Sequence, residues 1–116
     1  YYLSDTAEGF TPPAPFGLEE LDPAGVLPPR VYTKEELLAY LAHCRAKCRK
    51  AIESLTDEKA NQEAVSLRPG LTFTEIHLYN MRHVQHHAAQ LNLILRQKID
   101  SAPGWVSKTK IPLGDK

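Results

Sequence analysis

Four of the five histidines, His77, His83, His86 and His87, lie on one stretch of the chain. His83 and His87 are i, i+4 neighbours, so on a helix their rings share a face and can converge on one point. Two imidazoles at this spacing form the helical half of many metal sites. On a wheel of about 100° per residue with His83 at zero, Phe73, Ile76, Val84, Leu91, Ile94 and Leu95 fall between roughly 20° and 120°. His87 falls at about 40°, inside that apolar arc, and His83 sits at its edge. Imidazoles on an apolar face need partners for their nitrogens, either a metal or buried hydrogen bonds. Spacing alone leaves both open. Gln90 and Asn80, near 340° and 60° on the same wheel, can orient a ligand or a bound water. His86, near 300°, lies on another face beside Tyr79 and Leu93 and is not expected to be a ligand. His77 is within the arc but about 9 Å along the axis from His83. The protease pattern His-Glu-x-x-His is excluded, because Val84 occupies the Glu position.

Cys44 and Cys48 are the only cysteines, and they too are i, i+4. They replace aliphatic residues in a stripe of Leu37, Leu41, Ile52 and Leu55, which predicts buried free thiols in a core. Side chains at this spacing on one helix are poorly aimed for a disulfide. Two cysteines are too few for a disulfide scaffold and suit a reducing cytoplasm, the expected location. His43 falls beside the stripe, at the surface or its boundary.

The elements that must carry these residues are helices. Thr33-Lys34-Glu35-Glu36 is a capping box, and the apolar stripe that follows predicts a helix over 33–55. Arg45, Lys47, Arg49 and Lys50 come late in it, where bases suit the helix dipole, and read as a solvated face. Residues 56–71 are a polar connection ending in the breaker Arg68-Pro69-Gly70. Thr72-Phe73-Thr74-Glu75 is a second capping box and opens a helix over 73–98, which holds the histidines. Residues 1–32 contain six of the nine prolines and no room for a regular element. They also carry Tyr1, Tyr2, Phe10, Phe16, Leu18, Leu21, Val26 and Leu27, too many apolar anchors for a free linker. A long Pro-rich loop pinned to the helices is expected, with a loosely held tail at 99–116 around Trp105.

The chain has 116 residues, the size of one small domain or part of one. Fourteen Lys and Arg balance fourteen Asp and Glu, which argues against a nucleic-acid or anionic-membrane binder. No stretch reaches the roughly 18 apolar residues of a membrane span, and Tyr1 to Asp5 lack the marks of a secretory signal. The chain has no initiator Met, so a start after a cleavage or partway through a longer protein is expected. Each long helix carries about six apolar residues on one face, counting Cys44 and Cys48 on the first, and a two-helix hairpin covers only part of such stripes. The fold class expected is all-α: long antiparallel helices forming part of a four-helix bundle. The remaining helices would come from residues before Tyr1 or from a second copy of the chain in a homodimer.

The run Asn80-Met81-Arg82-His83-Val84-Gln85-His86-His87-Ala88-Ala89-Gln90-Leu91 resembles the last helix of the DinB-like superfamily. Members often end in His-x-x-His-His-x-x-Gln, which His83, His86, His87 and Gln90 match in register. The order of loops and helices from about Tyr1 to Lys98 is similar to that family's second half. This resemblance implies a four-helix bundle with a divalent metal, usually Zn or Ni, held by three histidines. Residue by residue, two of these are His83 and His87, with Gln90 as a supporting group. The third normally lies late in the second helix of the bundle, and His43 does not match that position.

Three functions follow. The first, which the resemblance implies, is a metal-dependent enzyme: a transferase or isomerase that uses a small thiol, or a hydrolase. An open metal position would bind and deprotonate thiol or water. The second is a non-catalytic metal-binding or stress-response bundle. The third is a structural dimerisation module whose histidines are hydrogen-bonded core residues. Metal content separates the third from the others, and turnover of a thiol with an electrophile separates the first from the second.

Overall fold

The computed structural model describes residues 1–19, 24–25 and 30–107. Parts of the Pro-rich segment (20–23 and 26–29) and of the C-terminal tail (108–116) lie outside the described residues. Those described form three helices and no strand, an all-α arrangement. They are α1 (Lys34–Glu53), α2 (Asp57–Asn61) and α3 (Phe73–Ile99).

Both capping boxes form. The Thr33 hydroxyl accepts from the Glu36 N–H at 3.2 Å, and the Thr33 N–H donates to the Glu36 carboxylate at 2.8 Å. Arg30 adds a two-pronged contact to the same carboxylate, at 2.9 and 2.7 Å. The arginine first, and the Thr33 N–H second, hold the Glu36 carboxyl down at about 2. Thr72 and Glu75 repeat the box at the start of α3, with bonds of 2.8 and 3.3 Å. α3 ends at Ile99; the Asp100 N–H still bonds the Arg96 carbonyl at 3.1 Å, and the left-handed φ of 51° at Asp100 turns the chain out of the helix.

α1 stops two residues short of the expected end, and the reason lies in the next residues. Thr56 is extended, and its side chain accepts from the Lys59 N–H, so it caps α2 and cannot continue α1. The polar connection therefore contains a short helix that periodicity could not show. Beyond α2 the chain reverses through Arg68-Pro69-Gly70-Leu71, closed by a 3.3 Å bond from the Leu71 N–H to the Arg68 carbonyl. Gly70 takes φ 84°, which any side chain would resist, and Pro69 presets the position before it. The returning backbone pairs with the outgoing one at Glu63 and Thr72.

The chain divides into two units, Tyr1–Asn80 and Met81–Lys116. The first has a small core of Ala64, Leu67 and Ile76, with Tyr1, Tyr2, Ala7, Leu71 and Phe73 packed against it. Ile76 has no exposed surface at all. The N-terminal segment is tied down by polar contacts as well. Ala7 N–H donates to the Ser66 hydroxyl at 2.6 Å, Lys47 donates to the Ser4 hydroxyl at 2.7 Å, and Lys59 pairs with Asp5. Phe16 packs on both Tyr32 and Tyr40, with ring centroids 4.4 and 4.3 Å away. The described part of the second unit is the rest of α3 and the tail to residue 107, with Val84, Leu91, Leu93 and Ile94 open on its surface. No helix among the described residues is long and apolar enough to cross a membrane.

Candidate metal centre

α3 runs unbroken through the histidine cluster, so the i, i+4 spacing becomes real geometry. The Nε2 atoms of His83 and His87 lie 3.2 Å apart, and the two rings meet edge to face with centroids 4.5 Å apart. The Nδ1 of His87 is 2.8 Å from the Gln90 side-chain oxygen. Because that oxygen can only accept, Nδ1 carries the proton and donates to it. The lone pair of His87 is then on Nε2, aimed at His83. This is the arrangement by which an outer partner fixes the tautomer and ring angle of a metal-binding histidine.

The separation can be tested against an ion. Two nitrogens at about 2.0–2.1 Å from a tetrahedral Zn would be roughly 3.3–3.4 Å apart. The observed 3.2 Å is within a few tenths of an ångström of that separation, and it is equally the length of a hydrogen bond between the two rings. Without metal the same contact is a hydrogen bond from the His83 Nε2–H to the His87 lone pair. His86 stands apart from this pair. Its ring meets that of His87 edge to face, with centroids 5.2 Å apart, and shows no ring-nitrogen bond to either member of the pair among the described residues.

The family model for the DinB superfamily matches residues 2–91, most of the chain and the whole His83–Gln90 segment. The chain belongs to the DinB superfamily. No curated protein and no solved structure matches it.

Two expectations from the sequence read differently in the structure. His83 and His87 lie on the apolar side of the helix, as their spacing predicts; that side, however, is open in this chain. Both rings are exposed, Val84 is 59% exposed and Leu91 62%. Cys44 and Cys48 form no disulfide and are only half-buried, on a stripe where Leu37, Leu41 and Ile52 are exposed. Among the described residues no group of three or more His, Cys, Asp and Glu side chains is placed to hold a metal ion.

His77 is separate from the cluster. It lines a cleft in the first unit, half-buried, and its pKa is lowered mainly by burial and then by Lys59. Sequence reading misses the grouping around it. It puts Lys47 and Lys50 on a solvated face and Lys59 in a connection, yet all three line that cleft. The signal is available only in part: Lys47 and Lys50 are near neighbours on α1, but nothing in the sequence shows that α2 brings Lys59 to them.

Proposed function

We propose that this DinB superfamily chain forms part of a four-helix bundle in which His83 and His87 bind one divalent transition metal, Zn or Ni. The observation that carries this reading is the 3.2 Å approach of the two Nε2 atoms with Gln90 fixing the His87 ring. The third ligand comes from preceding residues or from a second copy of the chain. Three protein ligands leave a tetrahedral ion one open position. A metal there would lower the pKa of a bound thiol or water and so supply a nucleophile near neutral pH. His87 and Gln90 then serve as one unit, with Gln90 holding the ring so that its lone pair stays on the metal side. The reaction class that suits such a site in a reducing cytoplasm is transfer or isomerisation assisted by a small thiol.

Elemental analysis of the protein purified without chelators tests the metal. About one Zn or Ni per site is expected, and a metal-free protein that stays metal-free on titration would sink the reading. The structural reading, a bundle whose histidines only bond to each other, would then stand. Assay of the loaded protein with a small thiol and an electrophile separates an enzyme from a metal-binding bundle without catalysis.

A further inference from the structure

The first unit contains a cleft of about 310 Å³, at the lower end of small-molecule sites. Three ammonium groups line it, Lys47 and Lys50 from α1 and Lys59 from α2, together with His77 from the first turns of α3. Asp5 is the only acidic residue among those lining it. One carboxylate against three ammonium groups leaves an excess of positive charge in a concave space, where low-dielectric walls concentrate the field.

The three lysines are not equally engaged. Lys59 is paired with Asp5 and sits over the Phe73 ring at 4.9 Å. Lys47 donates to Ser4 and sits over the Phe10 ring at 5.2 Å. The Lys50 ammonium makes no hydrogen bond or ion pair among the described residues, so its donors are available. Leu55 and Phe73 supply apolar wall beside these charges. A solvated basic face would spread its charges outward over one helix. Here charges from two helices share one concave space with apolar side chains.

We propose that this cleft binds a small organic oxyanion, a carboxylate or phosphate monoester on a compact apolar stem. Lys50 and Lys47 bind the oxyanion head, and Leu55 and Phe73 take the stem. The site is independent of the histidine pair on α3.

Isothermal titration of the full chain in its native assembly tests this, with phenyl phosphate, benzoate and inorganic phosphate as probes. Saturable binding of phenyl phosphate or benzoate is expected, with inorganic phosphate at least fivefold weaker because it lacks a stem. The tighter of the two organic probes identifies the head group. Lys50→Gln should weaken binding at least fivefold. Lys50 is exposed and its ammonium holds no described residue in place, so that variant keeps its fold, checked by circular dichroism. Arg49→Gln, on α1 but not lining the cleft, should bind as wild type does. Three results would overturn the proposal: no saturable binding of any probe, Lys50→Gln binding unchanged, or Arg49→Gln losing as much as Lys50→Gln. Inorganic phosphate binding as tightly as phenyl phosphate would overturn the apolar stem.

Discussion

At the scale of single residues, the histidine cluster sorts by direction rather than by count. His83 and His87 point Nε2 at each other, while His86 meets His87 only through ring edges. Replacing His83 or His87 with Ala should therefore strip metal from the protein, whereas His86→Ala should leave its content intact. Elemental analysis of the three variants beside wild type decides it; loss of metal from the His86 variant alone would refute the assignment. Gln90 acts through His87. Gln90→Leu removes the acceptor for Nδ1–H and frees the ring to rotate or change tautomer. Losing such a partner typically weakens metal affinity about 10- to 100-fold. Competition with a chromophoric chelator reads that change, and an unchanged affinity would mean that packing alone orients the ring.

At the scale of elements, the helix starts are legible in the sequence and the connection is not. Thr33 with Glu36 and Thr72 with Glu75 are local signals, each complete within one helical turn, so the sequence locates both starts to within a residue. Thr56 is harder, because so short a helix has no periodicity to read, and its cap is visible only once Lys59 is seen to bond to it. The histidine pair is legible because one helix carries both rings; the lysine cleft is not, because it needs α1 and α2 brought together. Two predictions belong here. Ile76 is the fully buried residue at the start of α3, and Ile76→Ala should cost about 2–5 kcal/mol in a denaturant melt. A loss below about 1 kcal/mol would mean that the small core does not support the unit. The second concerns acid. Glu36 titrates at about 2 when folded against an ordinary 4.5, and Asp5 and Glu75 are lowered too, by Lys59 and by Thr72. The unfolded chain thus binds more protons than the folded one as pH falls through that window. The contribution of Glu36 is complete above about 4.5 and is lost progressively towards 2, and those of Asp5 and Glu75 are likewise lost as pH falls below their ordinary values. Glu36→Gln should flatten the fall in melting temperature between those limits, and an unchanged slope would show that the cap and Arg30 contribute nothing.

At the scale of the whole molecule, the governing fact is an apolar stripe that is exposed among the described residues. Val84, Leu91 and Ile94 lie on one side of α3 and are each half or more exposed. Large apolar side chains in that number on one helix face mark a surface that another element covers. In the proposed four-helix bundle that cover would come from further helices, which would also bring a third ligand towards His83 and His87, so the assembly and the metal site would depend on one another. The two can be probed through Leu91, which stands near the middle of the arc. If α3 were a free surface helix, Leu91→Glu would change stability by no more than about 0.5 kcal/mol, as surface substitutions do. If helices from elsewhere cover it, the same change buries a carboxylate without a partner and should cost several kcal/mol. Gln85→Glu, on the opposite side of the same helix, provides the control and should stay within about 0.5 kcal/mol in either case. Sedimentation velocity on the same samples adds the size of the assembly. A compact monomer of α1–α3 alone, whose stability Leu91→Glu leaves unchanged, would rule out the bundle and with it the shared third ligand.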